Sequence, residues 1–333
     1  VISADEVYEC RARGKFRLDG TSPMVGDRVS FDPEGKKGYV TAVHDRKNFF
    51  IRPAVANIDA LVFIAANTNP VTDPFLIDRV SVITEEAGCE LIVCINKADI
   101  DPADELYGIY SSSGFETHRV SAKSGAGISE LKAALKGKIC AFTGNSGVGK
   151  SSILNTMLPG LSLQVGEVSE KLGRGRHTTR HVELFDAGDE TYIADTPGFA
   201  SFEIEMMQTI DKSELQYDFR DFKKYIGSCR FADCAHLKEP GCEVTAAVKA
   251  GGIPKSRYES YSRLYELAAK NKFWENACAG GGFLRKGPCA FFAVIAIVSG
   301  VIIILSLILP TQFWWFMLAA ALICLGVWLF RCH

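Results

Sequence analysis

Charged side chains are almost absent from the end of the chain, because Arg331 is the only formally charged residue from Pro288 onward. The rest of the 333-residue sequence is mixed in charge, and the formal net charge is −2. The uncharged segments 289–309 and 313–330 are each long enough to cross a hydrocarbon core of about 30 Å. Neither segment shows the polar face of a core helix, so we expect a transmembrane hairpin over residues 289–331.

The flanks of this predicted hairpin give it an orientation. Arg285, Lys286 and Arg331 would lie on one side, which the excess of basic residues assigns to the cytoplasm. Trp314 and Trp315 at the turn suit the opposite interface. We therefore expect a cytoplasmic protein that is tethered to the cytoplasmic face of the membrane. A fused or read-through reading frame would give the same apolar pattern and stays open as the alternative.

A secretory signal and an initiator methionine are also absent. Without a secretory route the 11 cysteines are not expected to form disulfides. We assign three of them to a metal site and expect most of the others to be buried thiols. The chain begins at Val1 within the pattern of a β-hairpin, so we expect the N-terminal domain to lack its first strand.

Short alternating stretches, broken by turn signals such as Asp19-Gly20, predict a small β-barrel over residues 1–54. Alternation with a period of two places four basic side chains on one face of a predicted strand: Arg11, Arg13, Lys15 and Arg17. Such a row can follow a phosphate backbone, which predicts RNA binding. A solvated strand face is the alternative.

Apolar strands that alternate with helical segments predict an α/β domain over residues 55–210. Strands are predicted from four short apolar runs: 58–65, 91–95, 138–143 and 192–194. Each of the last three ends directly in a polar or glycine-rich motif, as in a buried parallel sheet whose working loops lie at the strand C-termini. Helices are predicted over three segments: 74–87, 129–135 and 151–157.

A glycine-rich loop follows the third of these strands, with the spacing Gly144-x4-Gly149-Lys150-Ser151. Glycines let backbone N–H groups close around phosphates, the lysine reaches the β- and γ-phosphates, and the serine hydroxyl ligates Mg²⁺. The pattern predicts a nucleotide phosphate loop with Lys150 as a catalytic candidate. The predicted nucleotide-binding residues of this loop are Gly144, Asn145, Ser146, Gly147, Val148, Gly149, Lys150, Ser151 and Ser152.

Two further motifs precede the phosphate loop, which reverses the usual order in GTPases. Asn96-Lys97-Ala98-Asp99 predicts guanine binding, because the Asp99 carboxylate can accept both the N1–H and the 2-amino group of guanine. Adenine offers neither donor. Ser121, Ala122 and Lys123 would support the base from the next loop, alongside Asn96 and Lys97. The predicted ligands are GTP and GDP, bound by a circularly permuted P-loop domain.

The glutamine that orients water in many GTPases is missing, since Phe199 follows the motif Asp195-Thr196-Pro197-Gly198. Asp195 would hold Mg²⁺ together with Ser151, and the Gly198 amide would meet the γ-phosphate. In the preceding loop Thr179 is the better candidate for a second Mg²⁺ hydroxyl, with Thr178 next. His177 is the candidate for positioning the attacking water, and a contact with phosphate or RNA is the alternative.

Cys229, Cys234, His236 and Cys242 bring three thiolates and one imidazole within fourteen residues. This donor set suits a closed tetrahedral Zn²⁺ site with a structural role. Three unrelated buried thiols are the alternative, which the polar surroundings disfavour. Residues 211–275 are accordingly predicted to form a helical zinc-binding domain, followed by a linker over 276–288.

With these residues the chain resembles the ribosome small subunit-dependent GTPase A (RsgA) family over roughly residues 1–275. The resemblance is carried by the permuted order, by the motifs at 144–151, 175–179 and 195–199, and by the four metal-ligand candidates. It implies an N-terminal OB-fold, a circularly permuted GTPase domain and a C-terminal zinc domain. It also implies a protein that acts late in maturation of the small ribosomal subunit. Separately, we expect a monomer. Nothing in the family accounts for the apolar tail.

The resemblance further implies GTP hydrolysis that the subunit stimulates, contacts with its 16S rRNA, Zn²⁺ ligation by the four residues and a catalytic part for His177. Two alternatives of other classes are kept. One is a membrane-tethered module in which GTP gates RNA or protein docking with little turnover. The other is a membrane transport GTPase, which would be expected to keep the ordinary motif order and for which two spans are too few for an obvious pore.

Overall fold

The computed structural model describes residues 1–3, 6–12, 16, 22–50, 55–158, 183–195 and 211–279, without the side chains of 183, 195 and 270–279. Residues 1–269 form one compact unit and residues 270–333 a second, of which only the helical backbone of 270–279 is described. No helix in the described part is long and apolar enough to span a bilayer. The predicted transmembrane hairpin over 289–331 lies outside the described residues.

The N-terminal residues form short strands in three small sheets. The strands are β1 (Ile2–Ser3), β2 (Glu6–Val7), β3 (Glu9–Ala12), β4 (Val29–Glu34), β5 (Lys37–Val43), β6 (Phe49–Phe50) and β7 (Val55–Ala56). β5 lies in the middle of the three-stranded sheet, where it pairs parallel with β3 and antiparallel with β4. A β-rich N-terminal domain is therefore present, and its closure into a truncated OB-fold barrel stays a prediction.

The predicted row of basic residues does not follow one continuous strand. β3 ends at Ala12, and Phe16, four residues later, is helical and buried, with 6% of its surface exposed. In a strand, the Phe16 ring would also be buried, on the face opposite the basic row. The alternating sequence pattern therefore could not distinguish a strand from a helix at this residue. Arg11 is exposed in β3, whereas Arg13, Lys15 and Arg17 lie outside the described residues. The RNA-binding role of the row stays a prediction.

A six-stranded sheet forms the centre of the molecule. Its strands are β8 (Ala60–Ala66), β9 (Glu90–Asn96), β10 (Glu116–Arg119), β11 (Ile139–Thr143), β12 (Glu183–Asp186) and β13 (Tyr192–Asp195). Their order is β10-β9-β8-β11-β13-β12, and all neighbours are parallel except the last, antiparallel pair. The parallel sheet is confirmed. The short strands β10 and β12 were not predicted, because β10 is polar throughout and β12 has only two apolar residues between acidic ones.

Continuous apolar runs put the middle of this sheet in the core. Every residue of β8 is fully buried. Leu61 and Phe63 belong to one apolar cluster and Val62 and Ile64 to another. Because successive side chains of a strand point to opposite faces, β8 is covered on both sides, as strands of parallel sheets are.

Among the described residues, four helices cover the two faces of the sheet: α1 (Pro74–Glu86), α2 (Asp104–Ser112), α3 (Ile128–Leu135) and α4 (Lys150–Met157). The Asp73 side chain caps α1 by accepting a hydrogen bond from the Phe75 amide at 3.0 Å, and Pro74 stands where no donor is needed. Side chains of α1 and α2 pack in one apolar cluster and those of α3 and α4 in the other. The predicted helices lie within one residue of α1, α3 and α4, and α2 was not predicted.

Residues 211–269, called the C-terminal module below, pack against α1. The module contains a 3₁₀ turn (Arg220–Phe222), helix α5 (Glu243–Lys249) and the first part of helix α6 (Lys255–Ala279). One apolar cluster unites Phe75 and Val82 of α1 with residues of the module that include Leu215, Phe219, Phe222, Tyr261 and Leu264. This shared cluster joins the module to the sheet domain within the first compact unit.

Candidate functional site

The predicted nucleotide motifs meet at one edge of the central sheet. β9, β10, β11 and β13 lie in the parallel part of the sheet, and the motifs at 96–99, 121–123, 144–151 and 195–198 begin at or just after their carboxyl ends. Ligands of open α/β sheets bind outside these strand ends. The reversed order along the chain therefore does not separate the motifs in space.

Two glycines of the phosphate loop are required by close contacts as well as by backbone conformation. A Cβ atom on Gly144, whose φ is +140°, would lie 2.3 Å from the Ile64 carbonyl oxygen. One on Gly149, whose φ is +96°, would lie 2.2 Å from Nδ2 of Asn96. Both distances are far inside van der Waals contact, so only glycine fits at these positions.

Asn96 connects three of the predicted motifs through its side chain, which is 3% exposed. Its Nδ2 donates to the Val148 carbonyl oxygen of the phosphate loop at 2.8 Å. Its Oδ1 accepts a hydrogen bond from the Ala122 amide at 3.1 Å. A buried amide with both ends paired holds the base-binding loops and the phosphate loop in one arrangement.

Lys97 forms a second connection to the phosphate loop. Its ammonium donates to the Gly147 carbonyl oxygen at 3.0 Å and to the Thr68 carbonyl oxygen at 3.3 Å, and it also contacts the Asn69 carbonyl oxygen. The segment 67–72, called the β8 loop below, was not predicted to take part in the site. Its position directly after a buried parallel strand, like that of the other motifs, was the signal that could have identified it.

The remaining base-binding candidates differ in exposure. The Asp99 and Lys123 side chains are exposed at the rim, whereas Ser121 is 1% exposed and accepts a hydrogen bond from the Ser124 amide at 3.1 Å. Ser121 therefore shapes its loop. Asp99 and Lys123 lie where a base could reach them.

The phosphate side of the site is built on the first turn of α4, which begins at Lys150 and continues through the half-buried Ser151 and Ser152. The amino end of a helix presents unpaired N–H groups and the positive end of its dipole, both of which favour phosphate. Asn145 and Ser146 complete the loop before it. The arrangement can bind a nucleotide phosphate at the sheet edge.

Several predicted residues fall where the structure is not described. His177, Thr178, Thr179 and Gly198 lie outside the described residues. Asp195 ends β13, so its backbone lies at the expected sheet edge, and its side chain is not described. The predicted catalytic histidine and the Mg²⁺ ligands Thr179 and Asp195 therefore stay predictions.

The four metal-ligand candidates come together in the C-terminal module. The ligand atoms of Cys229, Cys234, His236 and Cys242 all lie within 4.8 Å of one another. Sγ of Cys229 is 3.5 Å from Nδ1 of His236 and 4.0 Å from Sγ of Cys242. A tetrahedral zinc ion would place its ligand atoms about 3.6 to 3.8 Å apart. The cluster thus fits one tetrahedral Zn²⁺ ion.

The groups around these four residues favour the binding of a cation. Gln216 accepts a hydrogen bond from Nε2 of His236 at 2.9 Å, which leaves Nδ1 to face the cysteines. The Glu243 amide lies 3.3 Å from Sγ of Cys229 and the Thr245 amide 3.5 Å from Sγ of Cys242, so backbone N–H groups would stabilise thiolates there. Burial lowers the pKa of His236, which favours the neutral ring that metals bind.

Of the four described cysteines outside the metal cluster, three are buried thiols and Cys10 is half-buried. Cys89, Cys94 and Cys140 lie in the sheet domain, and burial raises the pKa of each thiol to about 12. These groups stay protonated at neutral pH and are unsuited to nucleophilic or metal-binding chemistry.

Family models match most of the chain. The model described as RsgA GTPase matches residues 43–205, and the model described as RsgA N-terminal domain matches residues 1–40. Among curated relatives, the small ribosomal subunit biogenesis GTPase RsgA of Caldanaerobacter subterraneus subsp. tengcongensis is 44% identical over 271 residues, which is 80% of this chain and 90% of that protein. The protein of the same name from Thermotoga neapolitana is 45% identical over 273 residues, covering 79% and 90%.

Solved structures give the same result. YjeQ from Thermotoga maritima superposes with a TM-score of 0.68 and 39% identity, covering 78% of this chain and 89% of that one. YloQ, described as a circularly permuted GTPase, superposes with a TM-score of 0.67 and 33% identity, covering 80% and 88%. In both cases the likeness extends over about four fifths of this chain.

Proposed function

This chain belongs to the RsgA GTPase family, and on that premise we propose that it hydrolyses GTP to GDP and phosphate in the assembly of the small (30S) ribosomal subunit. The observation that supports this most directly is the position of Asn96, which joins the base-binding loops to the phosphate loop. A site assembled in this way binds a guanine nucleotide as one ligand, base and phosphates together.

Recognition of GTP divides between the two ends of the site. Asp99 accepts the two guanine donors at the exposed rim, and Lys97, Ser121, Ala122 and Lys123 line the base position. The amides of 144–149 and the first turn of α4 bind the phosphates. Guanine is selected by hydrogen bonds that adenine cannot make.

Hydrolysis needs a positioned water and stabilised negative charge. We assign Lys150 to the developing charge on the transferred phosphoryl group and His177 to the attacking water. Ser151, Thr179 and Asp195 would hold the Mg²⁺ that comes with GTP, and this ion supplies neutralisation of phosphate charge. The Gly198 amide is assigned to the γ-phosphate.

The C-terminal module would hold one structural Zn²⁺ ion through Cys229, Cys234, His236 and Cys242. All four positions are taken by protein ligands, so the ion has no open position for chemistry. We assign the module and the N-terminal domain, with Arg11, Arg13, Lys15 and Arg17, to contacts with the 16S rRNA. The protein would act in the cytoplasm as a monomer, and residues 289–331 would tether it to the membrane.

The test is a GTPase assay with and without purified small subunits. The full chain and a chain ending at Lys286 are compared, each with Lys150→Ala and with the exposed Lys132→Ala on α3 as the matched control. Stimulation of the wild type and of Lys132→Ala, and its loss in Lys150→Ala, are expected. Absence of stimulation in the wild type would overturn the ribosomal part of the proposal. Equal rates for the two chain lengths would show that the tail is dispensable for chemistry.

A further inference from the structure

A buried arginine of the C-terminal module reaches into the sheet domain. Arg257 on α6 is fully buried, and its Nη1 donates to Oδ1 of Asp78 on α1 at 2.8 Å and to Oγ of Ser81 at 3.0 Å. Its Nε donates to Oδ2 of Asp221 in the module at 2.8 Å. One guanidinium thus joins a carboxylate of each part, which we call the Arg257 cluster.

The surroundings of the Arg257 cluster exclude water and hold the guanidinium in place. Asp78 is fully buried and Asp221 is 7% exposed. The guanidinium carbon lies 4.6 Å from the ring centre of Phe219 and 5.2 Å from that of Phe115. Arg257 is the ion-pair partner of both carboxylates, at 2.8 Å from each. Removing it would leave two buried carboxylates without this partner, so Asp78 would have to rearrange.

Asp78 is connected to the start of α1. The Tyr110 hydroxyl lies 2.9 Å from Oδ1 of Asp78 and 2.9 Å from the Pro74 carbonyl oxygen. Pro74 is the first residue of α1, and Asp73 caps the helix just before it. The contacts of Arg257 therefore continue within about one helical turn to Pro74, which follows the end of the β8 loop by two residues.

The β8 loop is closed on itself and touches the nucleotide site. The Thr72 amide donates to the Ala66 carbonyl oxygen at 2.8 Å, and Oγ1 of Thr72 accepts from the Ala66 amide at 2.9 Å. Between these anchors the loop presents the two carbonyl oxygens that hold Lys97. Pro70 of the loop lies against Gly147, 3.3 Å from where a Cβ on that glycine would stand.

We propose that Arg257 is a positioning residue for guanine nucleotide binding, which it supports through Asp78, the start of α1 and the β8 loop. The loop sets the place of the Lys97 ammonium and of Gly147, and α1 sets the place of the loop. The inference rests on the proposed function, because it takes a guanine nucleotide as the ligand. By reciprocity of binding, a movement of α6 that loosens the cluster lowers nucleotide affinity, and nucleotide binding in turn holds α6 in place.

The experiment compares full-length wild type, Arg257→Met and Lys255→Met. Lys255 is an exposed lysine of the same helix that pairs with Glu259 of its own helix, so it is the matched control. Release of a fluorescent GDP analogue is measured by displacement with excess GDP, and amide hydrogen exchange is measured at Ala66 and Thr72. Arg257→Met should release the analogue about 10-fold faster, within the usual range of coupling between sites, and should exchange faster at both amides. Lys255→Met should match the wild type.

A purely structural role would lower the melting temperature of Arg257→Met and leave release from the folded protein unchanged, and that result would overturn the inference. If Arg257→Met does not fold, a second variant is measured in which Asp78→Asn and Asp221→Asn remove the carboxylates left without a partner. This triple variant still lacks the link and should still release the analogue faster, whereas wild-type release and exchange would overturn the inference. Failure of the wild type to bind the analogue would overturn the guanine nucleotide function as well.

Discussion

The amide oxygen of Gln216 and Nε2 of His236 are joined by a hydrogen bond of 2.9 Å, and this contact determines which imidazole nitrogen faces the three cysteines. A glutamine oxygen can only accept, so the proton of the neutral ring resides on Nε2. Nδ1 is left with its lone pair, 3.5 Å from the sulfurs of both Cys229 and Cys242.

Loss of this contact should weaken metal binding without removing a ligand. Gln216→Leu is expected to lower Zn²⁺ affinity by about 10- to 100-fold, the usual effect of losing a partner that orients a histidine ligand. Competition with a chromophoric chelator measures the affinity. Glu214→Gln, an exposed change two residues away, is the control and should keep the wild-type value. Unchanged affinity in Gln216→Leu would show that the cysteines alone orient the ring.

Gly149→Ala should abolish nucleotide binding. The new methyl group would stand 2.2 Å from Nδ2 of Asn96, and the backbone φ of +96° disfavours any side chain. Titration with a fluorescent GDP analogue should show at least about a 100-fold loss of affinity, since the phosphate loop must move to relieve the contact. Gly108→Ala is the control, because nothing lies within 4 Å of its added Cβ and alanine favours a helix. That variant should bind normally.

Asn96→Ala should reduce both stability and nucleotide affinity. It leaves the Val148 carbonyl and the Ala122 amide without their partner, which costs about 2 to 4 kcal/mol of unfolding free energy. Urea denaturation measures the stability, and the GDP analogue measures the affinity.

The control for Asn96 is Asn57→Ala, which also removes two side-chain contacts, to Lys47 and Gly26. Asn57 precedes β8, at the opposite edge of the sheet from the nucleotide site. Asn57→Ala should lower the stability of the protein and leave its nucleotide affinity unchanged. Equal affinity losses in the two variants would mean that Asn96 acts only through stability.

His177→Ala tests the predicted water-positioning residue. Hydrolysis should fall by about 100-fold or more, as expected when a group that acts on the attacking water is removed, while affinity for GDP stays at the wild-type value. Single-turnover hydrolysis and equilibrium titration give the two numbers separately. A parallel loss of both would assign His177 to binding.

Asp218 should make stability depend on pH near neutrality. Burial, reinforced by the nearby Glu86, Glu85 and Glu214, raises the pKa of its carboxyl to about 7. Since the folded state binds this proton more tightly than the unfolded chain does, its contribution to stability is complete below about pH 4 and is lost as pH rises through 7. Asp218→Asn should therefore be more stable than the wild type at pH 8 and similar at or below about pH 4.

Urea denaturation at half-unit steps of pH measures this difference. Asp233→Asn, an exposed change in the same module, should follow the wild-type curve. A pH-independent offset between Asp218→Asn and the wild type would contradict the assignment.

The sheet domain was predictable because its signals are local. A continuous apolar run such as β8 predicts a strand buried on both faces, and a motif directly after a strand must lie at the carboxyl edge of the sheet. The Cys229 to Cys242 spacing likewise limits the geometry of its cluster. Each of these inferences uses only residues that are close together in the sequence. They could therefore be made without knowledge of tertiary packing.

The contacts that connect the domains were not predictable from local patterns. Arg257 and Asp78 are separated by 179 positions, and an arginine in a polar helix gives no sign of being buried. The β8 loop contacts Lys97 through backbone carbonyl groups. Every residue has such a group, so the sequence of the loop could not predict this contact. β10 and the helical Phe16 were missed because tertiary packing overrides weak local preference.

The sheet order has a consequence for synthesis of the chain. The three strands of the base-binding half, β8 to β10, are contiguous from residue 60 to 119 and are made before β11 and β13, which carry the phosphate half. β8 is hydrogen-bonded to β9 on one side and to β11 on the other. During translation, the edge of β8 that pairs with β11 therefore stays unpaired until β11 emerges. A nascent chain arrested near residue 135 exposes this apolar strand edge to other proteins at the ribosomal exit.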